Sequence, residues 1–186
     1  MDRRHWLMDM AALCVLAGPG RAARAQTQTQ TGSELPTLVV LDFELVDDQD
    51  NPLTKAAQVI RLQRATAQLQ QELAQRQLYR VIDPEASAVR QRQLREQQAY
   101  LYRCDDCAAQ IGQLTGADLV MSTWVQKVSE LILNLNVQVH DGRTGRVLLS
   151  KSVDLRGNED ESWRRAVRYL VRDMAQRRER QPGYGR

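Results

Sequence analysis

The chain has 186 residues, 42% hydrophobic and 26% charged, a balance that fits one globular domain and excludes a collagenous or wholly disordered polymer. Lys and Arg number 26 against 23 Asp and Glu, so the net charge of +3 falls short of the strong field that nucleic-acid binding needs. Only Lys55, Lys127 and Lys151 are lysines; the remaining basic residues are arginines, which pair well with carboxylates and phosphates.

Residues 1–25 read as a secretory signal peptide. Arg3 and Arg4 precede a mostly apolar stretch, Gly18-Pro19-Gly20 breaks it, and Ala23-Arg24-Ala25 places small residues three and one before the cut. The apolar stretch is shorter than the roughly 20 residues of a membrane span, and Leu13 before Cys14 departs from the lipoprotein pattern. Cleavage after Ala25 is therefore expected, giving a periplasmic protein in a compartment that permits disulfides. It removes Arg3, Arg4, Arg21, Arg24, Asp2 and Asp9, leaving 22 basic against 21 acidic side chains. The remaining charge is segregated, with acids at 44–50 and 158–161 and arginines along the last helix, a pattern that favours a protein partner over nucleic acid.

Residues 26–36 begin with alternating Gln and Thr and predict a flexible leader. The run 37–45, Thr-Leu-Val-Val-Leu-Asp-Phe-Glu-Leu, predicts a central strand buried on both faces. A helix follows over 54–76, with Val59, Leu62, Thr66, Leu69 and Leu73 on one stripe, and then a short strand at 79–82, which implies a parallel crossover. Residues 85–98 are polar and helix-prone; a further helix over 105–115 stops at Gly116. Three strands follow at 119–128, 131–140 and 146–155, the last two joined by the turn Asp141-Gly-Arg-Thr-Gly145. In the middle one, Leu131, Leu133, Leu135, Val137 and Val139 alternate with Asn134, Asn136, Gln138 and His140, so one face is core and the other wet. A helix opening at 158–161 runs to about 180 with Val167, Leu170, Val171 and Met174 inward, and 181–186 reads as a flexible tail. The order β-α-β-α-β-β-β-α over residues 37–180 describes a single α/β domain with a mixed five-stranded sheet.

Cys104 and Cys107 are the only cysteines after cleavage. They form either a local disulfide that staples a helix entry or a redox-active pair, the second reading opposed by the negative charge of Asp105 and Asp106. A zinc site needs four ligands, and only His140 remains as a histidine. No Gly-x-Ser-x-Gly or phosphate-cradling glycine loop is present, and His140 reads as an exposed strand-end residue. Asp42 and Glu44 share a strand face; they offer either an acid/base pair or loop capping and arginine pairing. No catalytic residue, cofactor or metal is expected, and the chain reads as a non-enzyme. Arg164, Arg168 and Arg172, spaced by four, form a basic ridge with Arg165 beside it, either a solvated face or a docking surface. Trp163 is a core anchor, or an interface hot spot if exposed. Asn134 and Asn136 on the wet strand face are the other candidate partner contacts.

Leu38-Val-Val-Leu-Asp-Phe43, Tyr79-Arg-Val-Ile-Asp83, Cys104-x-x-Cys107, Thr115-Gly-Ala-Asp-Leu-Val120, Trp124-Val-Gln-Lys-Val-Ser129, Ile132-Leu-Asn-Leu-Asn136 and the Arg156 to Arg165 segment resemble a family of small secreted bacterial domains of unknown function. More distantly, the chain is similar to the amino-terminal domain of TolB and the periplasmic domain of the curli secretion channel. The resemblance implies an α/β fold like the anticodon-binding domain, roles in cell-envelope assembly and no catalysis. The expected function is a periplasmic, non-enzymatic binding or assembly module acting on an envelope protein. The alternative is a thiol-linked accessory factor of a periplasmic oxidoreductase system that uses Cys104 and Cys107.

Overall fold

A computed structural model describes residues 34–47 and 52–186; the expected signal peptide and most of the expected leader lie outside the described residues. The elements are β1 (Thr37–Val40), β2 (Glu44–Asp47), α1 (Pro52–Gln75), β3 (Arg80–Val81), α2 (Ala88–Gln97), α3 (Cys107–Thr115), β4 (Leu119–Lys127), β5 (Ile132–Asp141), β6 (Val147–Arg156) and α4 (Asp160–Arg180). Short 3-10 turns at Pro84–Ser87 and Leu101–Arg103 flank α2. The sheet runs β3-β1-β4-β5-β6, with β2 also paired to β4. Its β1, β2, β3 and β4 strands are parallel, and β5 and β6 form an antiparallel meander. This is the expected mixed α/β class.

The strand order explains why helices cover both faces. From β1 the chain crosses to β3 on one side and then returns past β1 to β4 on the other. Crossovers keep one hand, so reversing their direction moves the connecting helices to the opposite face. Accordingly α1, joined by α4, seals a core of Leu38, Val40, Leu69, Leu73, Leu135, Val137, Leu170 and Val171. The second core, beneath α2 and α3, is Val39, Leu41, Leu94, Cys107, Ile111 and Val120. Each such buried aliphatic side chain contributes about 1.5–3 kcal/mol of transfer free energy.

The first expected strand is split, so the sheet counts six strands rather than five. Val40 pairs with Met121 and Glu44 with Trp124, which sets residues 41–43 against only 122–123 and makes a bulge of one extra residue. Hydroxyl groups replace the missing ladder bonds. Thr123 Oγ1 donates to the Leu41 carbonyl at 2.9 Å, and the Phe43 N–H donates to Thr66 Oγ1 at 3.0 Å. The extra residue turns Phe43 under α1, into the same core as Leu38 and Val40.

Other expectations also shift. Val59 is 46% exposed, as are Leu53 and Ile60 on the same half of α1 to equal or greater degree; the buried stripe is Thr66, Leu69 and Leu73. His140 is buried rather than wet: it keeps its place in the polar row, but its cross-strand partner Val120 belongs to the second core, and α3 and the hairpin turn cover that end of the row. Its Nδ1 lies 3.1 Å from the Gly145 carbonyl, and burial holds the imidazole below its usual range. The hairpin turn beside it packs against α3 so closely that a Cβ on Gly112 would stand 2.1 Å from the Gly142 carbonyl oxygen. Residues 181–186, expected as a flexible tail, fold back instead. Gly185 O accepts from Tyr79 Oη at 2.7 Å and from Arg178, whose guanidinium also lies over the Tyr79 ring and donates to the Leu78 carbonyl.

One polar chain crosses the end of the domain where β2 and β4 finish. Lys127 Nζ, with no solvent exposure of its side chain, lies 2.8 Å from Asp47 and 2.7 Å from Glu130. Asn158 Nδ2 donates to Glu130 at 2.8 Å, and Trp163 Nε1 donates to Asn158 Oδ1 at 2.9 Å. Asn158 is thereby used in this chain and does not cap α4; the N-cap position is Glu159. Burial pulls the Lys127 ammonium down, but its bonds to Asp47 and Glu130 outweigh that and hold it above the usual lysine value.

Two predictions follow from these contacts. Lys127→Met should cost about 2–3 kcal/mol in urea unfolding, below the full cost of a broken buried pair because Glu130 is half exposed. His140 has its folded-state pKa depressed from 6.5, so the unfolded chain binds the proton first. Stability should therefore fall as the pH drops below 6.5 toward that depressed value, and His140→Asn should flatten the slope in pH-dependent unfolding.

Candidate functional site

The arginines meet on one side of the molecule, in the groove between α1 and α4. Arg61, Arg64 and Gln68 from α1 face Asp160, Arg164 and Arg168 from α4 across a groove of about 490 Å³ floored by Ala65 and Trp163. Trp163 is only 3% exposed and serves as the anchor of α4, not as an exposed contact. Helical spacing brings the groups together: Arg61 and Arg64 are three apart on α1, and Arg164 and Arg168 four apart on α4.

Two acids in the first turn of α4 organise the four guanidinium groups. Asp160 accepts from Arg61 Nε and from Arg64, each at 2.8 Å. Glu161 accepts from Arg164 and, at 3.0 Å, from Arg168. The hydrogen bond from Arg61 lowers Asp160, and that from Arg164 lowers Glu161, so both acids stay ionised. These are exposed pairs, screened by water and worth little to stability. Four guanidinium groups share two carboxylates, and the surplus positive charge faces solvent. Each planar guanidinium has five N–H donors, so a partly paired one still offers donors to an incoming carboxylate.

The ridge continues beyond the groove. Arg165, Arg168, Tyr169 and Arg172 line a smaller depression of about 280 Å³, with the Arg172 guanidinium 5.5 Å from the centre of the Tyr169 ring. Tyr169 is 49% exposed, an aromatic amid the cations that residue-type reasoning passed over. Arg61 and Arg64 were equally out of reach, since nothing in the α1 sequence shows that α4 lies beside it.

Asn134 and Asn136 lie elsewhere. They alternate with Leu133 and Leu135, which face α1 and α4, so they occupy the opposite face of the sheet from the arginines. Asn134 Nδ2 donates to Asp154 at 2.6 Å and Asn136 Nδ2 to the Asn134 carbonyl at 3.0 Å. Trp124, opposite Asn136, stacks on Tyr102 with ring centres 4.3 Å apart, and the Arg103 guanidinium lies over Tyr102.

The acids of the first strand cap and pair. Glu44 accepts the N–H groups of Leu101 and Tyr102 at 2.9 and 3.2 Å, closing the 3-10 turn. Burial raises its carboxyl above the usual value even against these two bonds. Asp42 lies 3.7 Å from Arg95 of α2. Cys104 and Cys107 are joined as a disulfide with Cα atoms 5.5 Å apart, Cys107 fully buried at the first turn of α3. The bond thus ties the 3-10 turn to the helix.

Among the described residues, no helix is long and apolar enough to cross a membrane. No curated protein matches the chain in sequence. Solved structures with similar folds include LpoB from Escherichia coli, by NMR, at 11% identity over 81% of this chain and 84% of that one, with a TM-score of 0.48. TolB from Acinetobacter baumannii matches at 10% identity over 81% of this chain and 30% of its own, TM-score 0.46. The PelC dodecamer from Paraburkholderia phytofirmans matches at 10% identity over 74% of this chain and 85% of that one, TM-score 0.45. A family model matches residues 36–174, and the chain accordingly belongs to the family DUF3280, described as "Protein of unknown function (DUF2380)".

Proposed function

We propose that the protein is a periplasmic, non-enzymatic binding or assembly module of the cell envelope that acts through protein–protein contacts. The observation that carries this reading is the gathering of Arg61, Arg64, Arg164 and Arg168 around one groove, with Arg165, Tyr169 and Arg172 extending it. Arginine and tyrosine are the residue types that dominate binding energy at protein interfaces, and a surface of one sign selects an acidic partner. The signal-like residues 1–25 support the periplasmic assignment. On this reading the partner presents clustered carboxylates to the groove, and the first turn of α4 sets their register by occupying part of each guanidinium.

The Cys104–Cys107 bond belongs to this scheme as a structural staple, because it closes the entry of α3 and carries the buried Cys107 into the second core. The loop it closes is short, and its removal in the Cys104→Ser, Cys107→Ser double variant should cost about 2 kcal/mol. Thermal melts of oxidised and reduced protein would check this, with partner binding at a permissive temperature unchanged.

The docking surface is tested by reversing its charge. With Arg164, Arg168 and Arg172 changed to Glu, recovery of the envelope partner should fall about tenfold or more relative to the parent chain. Melting curves would establish that the variant is folded. Unchanged recovery by the folded variant would overturn the assignment of this face.

A further inference from the structure

The sheet ends at β6 in a long edge whose guards are weak: a bulge confined to one end and a lysine that an acid of α4 neutralises. Its ten residues, Val147–Arg156, pair with β5 and with no other described strand. Natural edge strands are kept short, interrupted by proline or bulges, guarded by charged side chains that point outward or inward, or covered by another element. β6 has no proline. Its one irregularity lies at the Val147 end, opposite His140. Its one lysine, Lys151, is drawn toward α4 by Asp173. Helix α4 packs on one face of the strand but leaves an open groove of about 560 Å³, lined by Val153, Leu155, Ser162, Arg165, Ala166 and Tyr169. An added strand would complete the ladder and place its side chains there.

The sequence of the edge selects the occupant. We propose that a second copy of this chain adds to it, β6 pairing antiparallel with the same strand of its partner about a two-fold axis at Ser152. In that register Ser150 stands opposite the partner's Asp154 twice, Leu149 opposite the partner's Leu155 twice, and Lys151 opposite the partner's Val153. Polar residues meet on the open face and apolar ones on the α4 side, since Ser150, Ser152 and Asp154 alternate with Leu149, Val153 and Leu155. A slip of one residue would set the polar row of one copy against the apolar row of the other. A slip of two sets Leu148 against the partner's Asp154 in one direction and Leu155 against the partner's Lys151 in the other. The strand is thus complementary to itself over residues 148–156, as an isologous contact requires.

Analytical ultracentrifugation of the mature chain tests this at concentrations up to about 0.1 mM, where weak interfaces are populated. The expected result is a monomer–dimer equilibrium. Ser150→Asp, which opposes two carboxylates, should raise the dissociation constant roughly tenfold, and Ser150→Lys should lower it. Ser150 is exposed, so circular dichroism should match the parent in both variants. Ser152→Cys should form a reducible dimer on mild oxidation, and Ser150→Cys should not. A chain that stays monomeric throughout, or a dimer indifferent to both Ser150 charges, would overturn the proposal.

Discussion

A single inaccessible ammonium, Lys127 Nζ, holds together parts of the chain that are far apart in sequence. Through Asp47 it fixes β2 and through Glu130 the turn between β4 and β5. Through Asn158 the same chain of bonds reaches Trp163 in the first helical turns of α4. A buried cation needs good partners to repay its desolvation, and here it has two carboxylates at hydrogen-bond distance. Because Trp163 floors the α1–α4 groove, this polar chain also sets where the arginines of α4 stand relative to those of α1. The position of the candidate docking surface therefore rests on an interaction more than 25 residues away in sequence from Arg164.

The sheet divides the molecule into two kinds of surface. On one side α1 and α4 lie together and their arginines crowd into a groove held by Asp160 and Glu161. On the other, α2 and α3 cover β1, β4 and the His140 end of β5, so the amides Asn134, Asn136 and Gln138 stay partly accessible. Asn134 is paired to Asp154 of β6 and Asn136 to the Asn134 carbonyl, whereas the guanidinium groups outnumber the carboxylates they share. This contrast is the ground on which we propose the arginine side as the docking surface.

Much of the architecture was legible in the residues. The alternation from Leu133 to Val139 is a period-two signal with one apolar face, although Leu131, expected in the same row, lies before β5 and is exposed, and the Gly116 stop and the Asp141–Gly145 turn mark their neighbours' ends through local chemistry. What escaped depends on contacts between distant segments. The break after Val40 arises because Thr66 and Thr123 supply hydroxyl partners from other elements, and nothing in Leu-Asp-Phe itself signals it. His140 belongs to the polar row by its spacing, and only the packing of α3 and the hairpin turn over that end of the sheet buries it. The residues 181–186 lack apolar periodicity, yet Arg178 and Tyr79 capture the Gly185 carbonyl. At the candidate site, the ridge of Arg164, Arg168 and Arg172 was readable from its spacing, while Arg61 and Arg64 became part of it only through helix packing.

The central claim is that the α1–α4 face, and not the opposite sheet face, meets an envelope protein. Site-specific photo-cross-linking in living cells tests it most directly, with the cross-linker placed in turn at Gln68 and Arg165 on one side and at Asn134 and Ser150 on the other. The account predicts a common cross-linked protein from positions 68 and 165 and none of that species from 134 and 150. The same protein captured only from 134 and 150 would contradict it.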